Sequence, residues 1–232
     1  MFYTESRNHQ YEKQISSFMW GVYGWMSGAL TLTAYIAYAV ALSPRFIYTL
    51  HTNPLLLFGI FFAQIALVTS LTALLPRLSF TAAVGLYALY AASMGVTLSS
   101  IFYIYTTASI GATFLTCAGM FGVMALYGYV TKADLTSVGS MGLMVLFGLI
   151  IGMFVNIFLQ SPAFDMVLSG IGVIIFALLT AYDVQKIKMI GGQLLGGTQE
   201  MAKVTILCAL TLYLDFINLF LFLLRFMGKK RD

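Results

Sequence analysis

The chain has 232 residues, 60% of them hydrophobic and only 9% charged, with a formal net charge of +4. A soluble domain is about one quarter charged, so this composition excludes a water-facing globular surface. A mean hydropathy of +0.92 and the short breaks between apolar runs predict an all-α polytopic membrane protein with no separate soluble domain.

Three segments are expected: a polar N-terminal tail over 1–17, one transmembrane bundle over 18–228, and a basic C-terminal tail over 229–232. Prolines interrupt helices, and Pro44, Pro54, Pro76 and Pro162 all fall between apolar runs. With these and the polar clusters around Lys132 and Lys186 to Lys203 as breaks, about seven spans are predicted. They run Phe18–Leu42, Pro54–Leu75, Leu78–Tyr103, Thr107–Tyr129, Val138–Leu159, Met166–Lys186 and Val204–Phe226. The alternation of a membrane barrel is absent.

The first span is too long for a cleavable signal peptide, follows the polar stretch MFYTESRNHQYEKQ and lacks a small-residue cleavage site. Cys117 and Cys208 lie inside apolar spans, where a thiol packs as a small hydrophobe. Gly24 and Gly28 in GWMSG, and Gly148 and Gly152 in GLIIG, have the spacing that lets membrane helices approach closely, and contact within the bundle is expected of them.

Basic loops tend to stay cytoplasmic. With the N-terminus inside, the inner segments hold Arg7, Lys13, Arg77, Lys132, Lys186, Lys188 and Lys203, and the outer ones Arg45, Arg225, Lys229, Lys230 and Arg231. The bias favours a cytoplasmic N-terminus, while the basic end of the chain opposes it. Either the tail is exported despite its charge, or the last span is re-entrant.

The scattered basic residues form no stripe with interleaved aromatics, so they serve topology and anionic headgroups rather than nucleic acid. His9 and His51 sit outside the spans, so neither is placed to activate a buried serine, and no H-E-x-x-H pattern occurs. GGQLLGG, residues 191–197, lacks the G-K-[ST] ending of a phosphate loop and reads as a flexible connector. No catalytic residue and no cofactor are expected, and the chain is not read as an enzyme.

The remaining signal is charge inside the spans. Asp215 shares a helical stripe with Cys208, Thr211, Asn218 and Arg225. A polar stripe facing lipid strands its hydrogen-bonding groups, so the C-terminal helix is predicted to be central. Asp183 lies near the end of span six and Arg77 at the end of span two. In a serpentine chain these ends share a membrane side with the start of span seven, so Arg77, Asp183 and Asp215 are predicted to meet.

IGVIIFALLTAYDVQKIK (171–188) followed by ALTLYLDFINLFLFLLRF (209–226) resembles the C-terminal signature of the Bax inhibitor-1 family in its bacterial branch. The likeness extends over essentially the whole chain, including VTLSSIF (96–102) and LYGYVTKADL (126–135). It implies six helices around a central seventh, an inner-membrane location and a pH-sensitive calcium leak. The family's paired aspartates fall on Asp183 and Asp215 and its arginine partner on Arg77.

A lone aspartate at the bilayer centre costs about 2.5–3.5 kcal/mol on insertion scales, and two adjacent carboxyls are expected to share one proton and titrate in two coupled steps. Protonation would release Arg77 and loosen a latch, with Thr211 and Asn218 supporting the polar path. The pair is also expected to be a transient stop for Ca²⁺, the permeant ion. The expected partners are the lipid bilayer, Ca²⁺, protons and a membrane protein such as a protease. Three other readings stand beside this one: a static ion cluster fixing helix register, a non-transporting protein that restrains a membrane protease or stress partner, and a paired-aspartate intramembrane protease.

Overall fold

The computed structural model describes residues 2–193 and 198–231. Among these the elements are α1 (Phe2–Ala41), α2 (Pro44–Thr52), α3 (Pro54–Leu74), a one-turn 3₁₀ segment (Leu75–Arg77), α4 (Phe80–Leu98), α5 (Ile101–Ile104), α6 (Thr107–Val130), α7 (Thr136–Leu159), α8 (Pro162–Gln193) and α9 (Thr198–Met227). Pro44, Pro54 and Pro162 each start a helix, where the missing N–H costs nothing, and Pro76 sits in the 3₁₀ turn.

Among the described residues six helical segments are long and apolar enough to cross a membrane, from Pro54–Arg77 to Glu200–Met227. They correspond to six of the seven predicted spans. The first predicted span lies in α1, which continues back through the polar segment to Phe2 and whose apolar part is diluted by Trp20, Tyr23, Trp25, Tyr35 and Tyr38. The third predicted span is broken between α4 and α5. Ser99 and Ser100 donate there to the carbonyls of Val96 (2.6 Å) and Thr97 (2.8 Å), the local bonds by which serine competes with helix continuation. The connector at 191–197 divides: Gly191–Gln193 end α8, and 194–197 lie outside the described residues.

Burial ranks the spans. In their most apolar stretches α3 and α7 are 11% buried and α9 is 72% buried. The outward faces carry side chains such as Leu55, Phe58, Phe147 and Phe158, an arrangement a lipid solvent requires and water forbids. The helix predicted to be central is the most buried of the six.

The helices group into two compact units, one from Met1–Ile104 with Ile190–Tyr213, the other from Tyr105–Met189 with Leu214–Asp232. In the first, Gly95 of α4 abuts the Thr33 carbonyl and the Ile36 side chain of α1, an approach that admits no Cβ without movement. Tyr87, Tyr90 and Tyr213 pack edge to face. The Thr33 hydroxyl donates to the Ala91 carbonyl (2.9 Å) and lies 2.7 Å from the Tyr213 hydroxyl. A threonine has one hydroxyl proton, so Tyr213 is the donor of that second bond. Tyr213→Phe is expected to cost about 1 kcal/mol, the ordinary net value of a buried hydrogen bond. A fall in the thermal midpoint of the purified protein, absent in a Tyr48→Phe control at an exposed position, checks this. Lys203 Nζ donates to the carbonyls of Leu75 (3.5 Å) and Pro76 (3.4 Å), tying α9 to the turn that carries Arg77.

In the second unit small residues set the approach of α6 and α7 to α8. A Cβ on Gly128 would run into the Ala181 carbonyl, and Gly139, Gly142 and Gly152 face Tyr182, Leu179 and Leu168. This corrects the expectation from glycine spacing. Gly24, Gly28 and Gly148 have no atom within 4 Å of the place a Cβ would occupy, and of the four named glycines only Gly152 meets a neighbouring helix. Such spacing puts two glycines on one face without saying which face meets a partner.

Helix α9 runs unbroken to Met227. After it, the Lys229 carbonyl accepts from Thr106 N–H (3.1 Å) and Lys229 N–H donates to Ser109 Oγ (2.8 Å). The basic tail therefore lies at the same end as the turn before α6.

Candidate functional site

The site is built in the second unit by α7, α8 and the second half of α9. Gly170 meets Phe226, Gly172 meets Phe222, and Phe176 stacks on Phe222 at 5.6 Å. Rising numbers on one helix meet falling numbers on the other, so α8 and α9 are antiparallel. That register carries Asp183 to Asp215, and their carboxyl groups lie within hydrogen-bonding reach of each other. The sequence-predicted pair is therefore brought together.

Asp215 is 6% exposed, and its Oδ2 receives no hydrogen bond from an N–H or O–H of the described residues. Asp183 is half-buried. Two ionised carboxylates have only acceptors to offer one another, so the contact becomes a hydrogen bond only when one of them carries a proton.

The pair opens on a cavity of about 640 Å³. Helix α7 lines it with Leu143, Leu146, Ile150 and Met153, whose steps of three and four residues make one apolar helical stripe. Helix α9 contributes Asp215, Asn218, Phe222 and Arg225, and α8 contributes Phe176, Tyr182 and Lys186 beside Asp183. The carboxyls are thus the acidic part of a mostly hydrocarbon chamber.

Arg225 lies ten residues beyond Asp215, about 15 Å along α9. Its Nη1 is 3.7 Å from Asp165 Oδ1, and both side chains are about 40% exposed. Sequence reasoning missed Asp165. A carboxylate in the first turn of a helix is ordinary, and nothing local points from position 165 to position 225.

Of the predicted supporting stripe, Asn218 lines the cavity and donates to the Leu214 carbonyl (2.8 Å). Thr211 belongs to the first unit and donates to the Leu207 carbonyl of its own helix (3.3 Å). Arg77 also belongs to the first unit, exposed on its 3₁₀ turn. For Ca²⁺ the chamber offers two carboxylates, and among the described residues no cluster of three or more His, Cys, Asp or Glu is formed. A resident Ca²⁺ takes about six to eight oxygens, so these residues fit at most a passing ion that keeps much of its water.

The end of α8 is tied to the loop 131–135. Gln185 Nε2 donates to the Ala133 carbonyl (2.7 Å), and Gln185 Oε1 accepts from Leu135 N–H (3.0 Å). Lys188 Nζ donates to the Tyr129 carbonyl (2.7 Å) and sits 4.5 Å over that ring. In the same loop Asp134 accepts from Thr136 N–H, and its bonds to Thr136 hold the carboxyl below its ordinary range.

Long apolar helices that bury small residues and a carboxyl pair define a multi-pass integral membrane protein. The family model described as "Inhibitor of apoptosis-promoting Bax1" matches residues 15–232. The chain belongs to this family, the Bax inhibitor-1 family. It is 49% identical to "Inner membrane protein YbhL" of Escherichia coli over 218 residues, 94% of this chain and 93% of that protein. It is 40% identical to an uncharacterized protein of Rickettsia prowazekii, covering 99% and 96% of the two chains. An uncharacterized membrane protein of Streptococcus pyogenes is 31% identical, with 93% of each chain covered.

Proposed function

We propose that the protein is a Ca²⁺-permeable leak of the bacterial inner membrane whose flux responds to the protonation of Asp183 and Asp215. The observation that carries this reading is the carboxyl pair, one member buried with an unpartnered oxygen, lining a chamber of about 640 Å³. Ionisable groups inside membrane spans are costly and cluster on ion and proton pathways. In this reading the N-terminus is cytoplasmic, by the lysine and arginine bias, and the inner membrane is the location printed for the relative YbhL. Arg77 serves as the latch, holding the closed state while a carboxylate is ionised and letting go when the pair is neutralised.

The test is reconstitution of the purified chain into Ca²⁺-loaded liposomes. The expected result is Ca²⁺ release that grows as the pH is lowered. Liposomes no leakier than protein-free ones overturn the leak and favour a protein that acts through a membrane partner such as a protease. Arg77→Ala is expected to raise release severalfold at neutral pH while leaving some pH response, because the carboxyls remain but the cation that favours the closed state is gone. Unchanged release in that variant removes Arg77 from the latch.

A further inference from the structure

We propose that the cavity between α7, α8 and α9 is a receptor site for an amphipathic monoamine, with the ammonium on Asp215 and Asp183 and the hydrocarbon body against α7, Phe176 and Phe222. Binding is argued from the cavity alone, whereas any effect on ion flux rests on the leak reading above.

Size comes first. A volume of about 640 Å³ lies inside the range of about 300–1,000 Å³ typical of small-molecule sites, which are largely apolar with a few convergent polar groups. It far exceeds what one ion needs. One wall is the α7 stripe, and the stacked rings of Phe176 and Phe222 supply an aromatic surface.

Charge selects the head group. A carboxyl pair holding one proton carries one net negative charge, and both residues line the cavity. A primary ammonium supplies the compensating charge, and N–H donors to the half-buried Asp183 carboxyl on the cavity wall. An alcohol supplies only the donor, and a carboxylate repels.

Two cations, Lys186 and Arg225, also line the cavity, and Lys186 acts electrostatically on Asp183. On α9, Arg225 lies about 15 Å along the helix and is engaged by Asp165. On α8, Lys186 is exposed, with Nζ 5.7 Å from the centre of the Tyr182 ring. On α6, the Cys117 thiol is directed to the Phe216 carbonyl (3.7 Å). Helix α7 lines the cavity with apolar side chains only.

The experiment compares diphenylpropylamine, diphenylpropanol and diphenylbutanoate, three bodies of one shape with different heads. Binding to the full chain in lipid nanodiscs is measured by calorimetry, with empty nanodiscs subtracted for partitioning. The amine is expected to bind at least about tenfold more tightly than the alcohol or the acid. Asp215→Asn and Asp183→Asn should each reduce amine affinity to the level of the alcohol. Leu146→Trp, which fills the chamber, should weaken amine and alcohol alike, and Asp134→Asn in the loop should change neither.

Equal binding of amine and alcohol to the parent protein overturns the proposal without recourse to any variant. So does full amine affinity in a folded Asp215→Asn protein. Tight amine binding to a protein that releases no Ca²⁺ from liposomes sinks the leak and leaves the receptor site standing. A leaking protein indifferent to the amine does the reverse.

Discussion

Replacing Asp215 by Asn is expected to flatten the pH dependence of Ca²⁺ release from reconstituted liposomes, and Asp183→Asn is expected to do the same. The reason is the coupling. With two carboxyls in contact, the protonation state of one sets the cost of ionising the other, so the pair responds to pH as a unit. An amide in either position donates a hydrogen bond at every pH and ends that coupling. Release measured between about pH 5 and pH 8, a span within which paired or buried carboxyls titrate, should then vary much less than in the parent. On the proposed latch the parent is expected to leak more as protons are added, because a neutral pair would no longer attract the cation. If both Asn variants retain the parent's release and pH profile, the aspartates are a static polar cluster and the leak mechanism is wrong.

Gly128→Val is expected to have the largest effect on folding. A Cβ there meets the carbonyl of Ala181, which belongs to the backbone of α8 and cannot rotate aside as a side chain would. Overpacking typically costs about 1–3 kcal/mol, and a branched side chain against a helix backbone belongs at or above the top of that range. Gly111→Val on the same helix is the control, since nothing lies within 4 Å of its Cβ position. The thermal midpoint of the purified proteins decides the matter: a Gly128 variant as stable as the Gly111 variant would mean that α6 and α8 do not approach closely. Ala181 stands two residues before Asp183, so displacement of α8 here should also disturb the carboxyl pair.

Six spans were legible because lipid imposes a simple requirement, about twenty apolar residues in a row. The acidic pair was legible for a related reason, since a carboxylate in such a run has few places to go. The reach of α1 to Phe2, the break at Ser99 and Ser100 and the helix α2 were not. Each depends on local hydrogen bonding or on polar residues that hydropathy does not register. The chamber was half legible. Its α9 stripe contains Asp215 and Asn218, which mark a face, whereas Leu143, Leu146, Ile150 and Met153 read as any lipid-facing stripe, and Leu143 and Ile150 do stay half exposed beside the cavity. The Asp165–Arg225 pair is sixty residues apart in sequence, and only the antiparallel register of α8 and α9 makes it visible.

The three hydrogen bonds that join Gln185 and Lys188 with the backbone of 129–135 have a mechanical consequence. They rivet the end of α8 to the loop behind it, immediately after Asp183. Shifting Asp183 bodily means shearing all three, at about 1 kcal/mol each on ordinary values. Asp215 stands in the middle of a long helix, and its carboxyl moves sideways when α9 rolls about its own axis. Asp183 is therefore the anchored member of the pair, held in register by the loop behind it.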